Sequence, residues 1–256
     1  MKNRKKVFIL SVLTAFALIS CNSKVNQEEQ EITGISDIHK DYFAEVKIEE
    51  PLINVPDGYI LIDGNLVKRE NPSINQYGYF KEYSYLYEFI GSDITDYIDT
   101  YQKTLVLHKD GEYYYIENMN GKRYYTKASN IVFLPENYVE VDLSDQKLYV
   151  FNDDKLVMDV SVITGKPSTP TNEGYTEILE KTYNRPLIGP TWNVDVKYFF
   201  PFNKSGEGFH DASWQENFDK DVYLHRGSHG CVNMTLEDVS NLDQYTEVGT
   251  KVLVHK

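Results

Sequence analysis

Cysteine is scarce in this chain of 256 residues, which contains only Cys21 and Cys231. If Cys21 is modified, Cys231 has no partner for an intramolecular disulfide. A structural zinc site usually needs four ligands in paired spacings. His225, His229 and Cys231 lie close together, but the chain has no second pair of such ligands. No metal is therefore expected, and the single thiol of Cys231 needs another explanation.

Basic residues are also few, since 26 Lys and Arg stand against 39 Asp and Glu, for a formal net charge of −13. Nucleic-acid binding depends on Lys and Arg that neutralise phosphates, so no nucleic-acid partner is expected. The Gly-x-Ser-x-Gly sequence of serine hydrolases is absent, which disfavours that class of enzyme. The acidic balance itself indicates only a well-hydrated surface.

An apolar run near the N-terminus, residues 7–19, follows four basic residues and is too short to span a bilayer as a stable helix. It ends at Leu18-Ile19-Ser20-Cys21, which resembles the bacterial lipobox, where a small residue precedes a cysteine that is lipidated. The alternative is an ordinary signal with an incidental cysteine. We expect residues 1–21 to be a lipoprotein signal peptide, with Cys21 lipidated and the protein anchored to a membrane outside the cytoplasm.

Residues 22–50 are polar and acidic, and we expect them to form a tether. Residues 51–136 are instead rich in tyrosine and turn signals. Asp110-Gly111 and Asn120-Gly121 flank residues 113–118, and residues 122–126 follow, which predicts a hairpin. We expect a small β-rich domain here, whose Gly-turn and aromatic rhythm resembles bacterial SH3-like domains. Its tyrosines form either a sugar-stacking surface or a half-buried β surface. Six aromatic residues fall on one parity, as in strands with one buried face: Tyr77, Tyr79, Tyr83, Tyr85, Tyr87 and Phe89.

The stretch Ser228-His229-Gly230-Cys231-Val232-Asn233 places a thiol directly after a His-Gly pair. A catalytic cysteine needs a base or positive field that yields thiolate, and backbone N–H groups aimed at the developing oxyanion. His229 is a candidate for the first, and Gly230 lets a substrate approach the backbone. A second His-Asp pair, His210 and Asp211, precedes the stretch, with 17 residues between His210 and Ser228.

This ordered set resembles the L,D-transpeptidase family of peptidoglycan cross-linking enzymes. The family's pattern is a histidine, a spacer of this general length, and Ser/Thr-His-Gly-Cys followed by an apolar residue and Asn or Arg. The resemblance extends over residues 138–256, with one departure at Asn172, where a second proline often stands. It implies a mainly β fold: an L,D-transpeptidase-like β-sandwich over residues 137–256, with one short helix after the catalytic loop, preceded by the small SH3-like β domain.

Hydrophobic patterning places the elements of residues 137–256. Alternation predicts strands near residues 139–143, 148–152 and 155–163, and another over residues 192–202. Thr235-Leu236-Glu237-Asp238 is a capping-box-like start for a helix that continues to about residue 245. The nucleophile is therefore expected in a loop just before a helix.

The resemblance implies a role for each motif residue. Cys231 is the nucleophile, and the notion of an activated cysteine predicts a thiol of low pKa. His210 is the general base. Asp211 orients the imidazole, through either its backbone carbonyl or its carboxylate, as the third member of other triads does.

The remaining motif residues have supporting roles. His229 either assists thiolate formation or is a structural histidine, and Ser228 hydrogen-bonds within the loop. The N–H groups of Gly230 and Cys231 are the oxyanion-hole candidates. Arg226 and Asn233 are candidates for substrate binding. The Arg226 guanidinium suits a stem-peptide carboxylate, and the alternative is that it is only solvated. The alternative for Asn233 is that it stabilises the loop.

The function implied is that of an envelope lipoprotein acting as a peptidoglycan L,D-transpeptidase, with tetrapeptide stems as partners and no metal or organic cofactor. A cysteine acyl-enzyme splits one acyl transfer into two easier steps. The alternatives are an L,D-carboxypeptidase, in which water accepts the acyl group, and a wall-binding lipoprotein that acts through its SH3-like region.

Overall fold

The computed structural model describes residues 59–62, 65–68, 73–189 and 193–256. The expected signal peptide, the lipidation site Cys21 and the tether over residues 22–50 lie outside the described residues. Within the described part, no helix is long and apolar enough to cross a membrane.

The described residues of the tyrosine-rich region form nine strands and one 3₁₀ turn at Ala128–Asn130. The strands are β1 (Tyr59–Ile62), β2 (Asn65–Lys68), β3 (Gln76–Phe80), β4 (Ser84–Tyr87), β5 (Ile94–Ile98), β6 (Lys103–Asp110), β7 (Tyr113–Asn118), β8 (Arg123–Lys127) and β9 (Ile131–Phe133). Strands β1 and β2 form a hairpin, and the others form a seven-stranded sheet in the order β5-β4-β8-β7-β6-β3-β9. The predicted hairpin is confirmed as β7 and β8, which pair antiparallel. The likeness to SH3-like domains stays a prediction.

In the C-terminal region, residues 137–189 and 193–256 form nine further strands, two helices and a 3₁₀ turn at Lys220–Val222. The strands are β10 (Tyr138–Asp142), β11 (Lys147–Asn152), β12 (Lys155–Ser161), β13 (Gly174–Glu177), β14 (Thr182–Ile188), β15 (Asn193–Pro201), β16 (Gly208–Asp211), β17 (Val232–Met234) and β18 (Lys251–His255). The helices are α1 (Tyr223–Arg226) and α2 (Leu236–Tyr245). Two sheets result, in the orders β12-β11-β10-β18-β13 and β14-β15-β16-β17.

One apolar core unites these two sheets and α2. It contains Val139 and Val252 from the five-stranded sheet, Phe209 from the four-stranded sheet, and Val239 and Leu242 from α2, all fully buried. Alternating side chains on the strands and helical spacing on α2 place these residues on the inner faces. The mainly β fold with a short helix after the cysteine is thereby confirmed.

Helix α2 begins where the capping pattern predicts. Thr235 is the N-cap, and its Oγ1 accepts a hydrogen bond from the Asp238 N–H at 3.0 Å. Between the cysteine and this helix lies the short strand β17, which the sequence patterning did not predict. All three residues of β17 are buried, and they pair in parallel with β16.

A buried ionic cluster joins the seven-stranded sheet to the five-stranded sheet. The ammonium of Lys103 on β6 contacts the Glu140 carboxylate on β10, and His255 Nε2 on β18 lies 3.0 Å from the same carboxylate. All three residues are at most 4% exposed. The rings of Tyr77 and Phe151 lie 4.4 and 4.3 Å from the Lys103 ammonium, close enough for cation–π attraction.

Candidate active site

Two neighbouring parallel strands bring His210 and Cys231 to one side of the four-stranded sheet. His210 on β16 is in register with Asn233 on β17, and Cys231 lies two residues before Asn233. Side chains at i and i+2 of an extended segment point to the same side. His210, Cys231 and Asn233 accordingly line the same cavity, of about 280 Å³.

The imidazole of His210 is held by its own neighbour. Its Nδ1 lies 2.9 Å from the Asp211 carbonyl oxygen, and a carbonyl only accepts, so Nδ1 carries the proton and Nε2 is the basic nitrogen. The Asp211 carboxylate instead accepts the N–H groups of Lys197 and Tyr198, at 2.7 and 2.9 Å. Of the two alternatives for Asp211, the structure shows the backbone carbonyl.

Burial sets the protonation of both groups. It lowers the pKa of His210, against the opposing effect of the Asp211 carbonyl and charge. Burial also raises the pKa of the Cys231 thiol, and the Glu207 charge raises it further, while the Gly208 backbone lowers it. The expectation of a low-pKa thiol is wrong for this resting structure, which favours a neutral thiol beside a neutral imidazole.

The loop of residues 228–231, called here the Cys231 loop, is closed by Ser228. Ser228 Oγ accepts the Gly230 N–H at 3.0 Å and donates to the Cys231 carbonyl at 2.5 Å. This matches the local role expected for Ser228. It corrects the expectation for Gly230, whose N–H is already engaged and does not serve an oxyanion. The N–H of Cys231 remains the candidate.

A second loop, over residues 163–172, is hydrogen-bonded to the Cys231 loop. Thr171 Oγ1 donates to the Gly230 carbonyl at 2.8 Å and accepts the Gly165 N–H at 2.9 Å. Thr169 Oγ1 donates to the Ser228 carbonyl at 2.9 Å. Gly165 has no room for a side chain, because a Cβ would lie 2.2 Å from the Thr169 carbonyl oxygen. The loop of residues 163–172 thus fixes the backbone around the thiol.

Two further residues that line the cavity are Trp214 and Arg226, of which only Arg226 was a candidate from the sequence. The ring centroid of Trp214 lies 5.8 Å from that of His210. Trp214 was missed in the sequence analysis, and its position four residues after His210 was the one signal that could have indicated it. Arg226 also lines the cavity, and its Nη2 donates to the Trp214 carbonyl at 2.9 Å. Among the described residues, no donor reaches Oδ1 of Asn233, which is 2% exposed.

The other histidines of the motif region are on the surface. His229 is exposed and is one of the residues that line the cavity. His225 is exposed on α1 and is not among those residues. Across the described parts of the chain, no three His, Cys, Asp or Glu side chains converge in a way that would hold a metal ion.

Comparison with known proteins points to one family. Residues 136–254 match the family model YkuD, the L,D-transpeptidase catalytic domain. A comparison with curated proteins found no match.

Solved structures similar to this chain include three from Enterococcus faecium. The catalytic domain of its L,D-transpeptidase, determined by NMR, is 33% identical over 48% of this chain and 98% of that domain, with a TM-score of 0.45. The same domain acylated by ertapenem has 33% identity, the same coverage and a TM-score of 0.44. A crystal structure of a cysteine-to-serine mutant of the L,D-transpeptidase is 22% identical over 77% of this chain and 87% of that one, with a TM-score of 0.48.

Four observations indicate the same family. They are the motif positions, the cavity that His210 and Cys231 share, the family model and the 33% identity over a whole catalytic domain. Through its C-terminal region, this chain belongs to the L,D-transpeptidase family.

Proposed function

We propose that this protein is a peptidoglycan L,D-transpeptidase that forms cross-links through a cysteine acyl-enzyme on tetrapeptide stems. The observation that carries the proposal is the cavity that Cys231, His210 and Asn233 share. It offers an unpaired thiol, a base of defined tautomer and a buried acceptor without a donor. These are the groups that acyl transfer to and from a peptide requires.

In this mechanism Cys231 Sγ attacks the carbonyl of the third stem residue while its proton passes to His210 Nε2. The same nitrogen then protonates the departing amine of the terminal D-Ala, which leaves a thioester. In the second half-reaction, His210 deprotonates the acceptor amine of another stem, and the amide forms as the thiol is restored. A neutral resting pair suits this sequence, since the base is unprotonated when the thiol must be deprotonated.

The other site residues position and stabilise the substrate. The Cys231 N–H faces the oxyanion, in a loop that Ser228 and Gly230 keep in one conformation. Asn233 Oδ1 accepts an N–H of the stem peptide, because a buried acceptor gains most from a partner. Arg226 attracts a stem carboxylate at the cavity edge, and His229 assists at the exposed side of the thiol.

The test is product analysis by mass spectrometry after incubation with a defined disaccharide-tetrapeptide. A cross-linked dimer together with released D-Ala supports the proposal. Tripeptide without dimer would establish the carboxypeptidase alternative, and unchanged substrate would overturn both. Cys231→Ala and His210→Gln should be inactive. His225→Gln is the matched control, because it removes an exposed histidine that lies outside the cavity.

Anchoring is a separate proposal, carried by the Leu18-Ile19-Ser20-Cys21 sequence. We infer that Cys21 bears lipid, and two chains on one residue bind a membrane more firmly than one myristoyl chain. Cys21→Ala should release the protein from the membrane fraction or leave it unprocessed. Unchanged fractionation together with an unchanged mass at the mature N-terminus would contradict this.

A further inference from the structure

Glu207 is a buried acidic residue beside the Cys231 loop that lies outside the motif. It is 6% exposed and precedes β16. Its carboxylate accepts the Asn172 side-chain amide at 2.6 Å, the Asn172 backbone N–H at 3.2 Å and the Asn203 side-chain amide at 2.5 Å. All three of these groups are N–H donors, and an ionised carboxylate only accepts hydrogen bonds.

This charge is not neutralised by a salt bridge. Among the ion pairs of the described residues, none includes Glu207. The donors that hold it are neutral amides. A negative charge held this way acts on whatever ionisable group lies next to it.

The group next to it is the backbone that carries the thiol. A Cβ built on Gly230 would lie 2.8 Å from Glu207 Oε1 and 3.0 Å from its Cγ, so the carboxylate packs directly against Gly230. Gly230 has φ +118°, a conformation that other residues rarely adopt. The neighbouring Cys231 Sγ lies 4.0 Å from the Gly206 carbonyl, in the same loop as Glu207.

We propose that Glu207 is a positioning residue for the nucleophile: held by Asn172 and Asn203, its carboxylate packs beneath Gly230 and places a negative charge beside the Cys231 thiol. The arrangement has two effects. It ties the loop of residues 203–207, the loop of residues 163–172 and the Cys231 loop into one unit. It also adds to the effect of burial in favouring the protonated thiol of Cys231, so the proton leaves for His210 only as the new bond to sulfur forms.

Asn172 has a specific part in this network. Its backbone N–H and its side-chain amide both donate to Glu207. A proline at this position would supply neither donor. The departure from the family pattern at Asn172 therefore provides two of the three N–H donors that hold the buried carboxylate.

The charge effect is tested by the pH dependence of Cys231 alkylation with iodoacetamide. The full chain is used in detergent, and the Cys231 peptide is quantified by mass spectrometry, which separates it from Cys21. Glu207→Gln should move the alkylation midpoint to lower pH. Glu177→Gln, which removes one charge from a partly exposed surface carboxylate, should leave it unchanged. Other ionisable groups that line the cavity, His210, His229 and Arg226, stay intact in both variants.

A midpoint in Glu207→Gln that is unchanged or higher would overturn the charge effect. Because alkylation needs no peptidoglycan, this outcome is independent of the proposed function. The positioning effect is tested with Asn172→Ala, which keeps the carboxylate but removes one of its donors. Ertapenem, which acylates the similar E. faecium domain, is the probe. We expect it to acylate Cys231, and in Asn172→Ala this acylation should slow by about tenfold, the scale of one hydrogen bond, with an unchanged alkylation midpoint. Acylation at the wild-type rate would overturn the positioning role.

Discussion

The basic nitrogen of His210 is set by the carbonyl oxygen of Asp211, 2.9 Å from Nδ1, and not by the Asp211 carboxylate. The carboxylate is used elsewhere, as the acceptor of two N–H groups of β15. One residue therefore orients the base with its backbone and fastens the neighbouring strand with its side chain. The two roles are separable by mutation.

Asp211→Asn should destabilise the fold more than it slows catalysis. The carbonyl that holds His210 is unchanged, so we expect ertapenem acylation to fall less than tenfold. The free energy of unfolding should drop by about 1–3 kcal/mol, because one amide oxygen replaces a charged double acceptor. Urea unfolding and intact-mass labelling measure the two quantities, with the exposed Asp195→Asn as control. A loss of acylation of 100-fold or more would show that the carboxylate itself acts on the base.

The pH dependence of acylation should reflect the burial of His210. Its pKa is lowered by burial, so the base stays neutral, and active, to a lower pH than an ordinary histidine. The acidic limb of the second-order rate constant for ertapenem acylation should therefore have its midpoint below the usual histidine value of about 6.5. A midpoint above that value would mean that another group controls the limb.

Replacement of Gly230 should affect both the backbone and its neighbour. Gly230→Ala adds a Cβ that would lie 2.8 Å from Glu207 Oε1, at φ +118°. Gly249→Ala is the matched control, because its φ is +93° but nothing lies within 4 Å of its Cβ. Both variants should lose about 1 kcal/mol or more from backbone strain. Only Gly230→Ala should also lose most of its ertapenem acylation, and equal acylation in the two variants would contradict the contact.

The buried cluster of Lys103, Glu140 and His255 should make stability depend on pH. Burial opposes the charge on His255, but the hydrogen bond and charge of Glu140 prevail and raise its pKa. Burial likewise opposes the charge on Glu140, but His255 and Lys103 lower its pKa. The Glu140 contribution is complete above the unfolded value of about 4.3, and the His255 contribution is complete below about 6.5.

Between these values both contributions are present, so the free energy of unfolding should be greatest there. It should fall as pH rises through the raised pKa of His255, and again as pH falls through the lowered pKa of Glu140. Urea unfolding across pH measures this, and His255→Gln should flatten the alkaline side. An unaltered alkaline slope in His255→Gln would show that the cluster does not control it.

Sequence patterns sufficed for features that depend on neighbouring residues. Alternation of apolar residues located β10 and β11, and the Thr235 cap located the start of α2. The order of His210 and the Cys231 motif indicated the two central groups of the site. These signals are local, or are carried by a motif whose residues stand in fixed order.

Features set by tertiary contacts left no such signal. Glu207 and Asn172 are 35 positions apart, and only the folding of two loops brings them together beneath Gly230. The pKa of Cys231 is a second example. Its His and Gly neighbours suggested a low pKa, whereas burial, together with the Glu207 charge, raises that pKa. The hydrogen bond that Ser228 Oγ accepts from the Gly230 N–H likewise depends on the folded conformation of the loop.

The position of β18 has a consequence for the order of synthesis. Residues 251–255 lie between β10 and β13, in the interior of the five-stranded sheet, and β18 is the parallel partner of β10. More than a hundred positions of chain separate these two partners, so the pairing is a long-range contact of the kind that slows folding. A nascent chain that still lacks residues 251–255 has a gap in the middle of this sheet. This sheet can therefore be completed only after residues 251–255 have been synthesised.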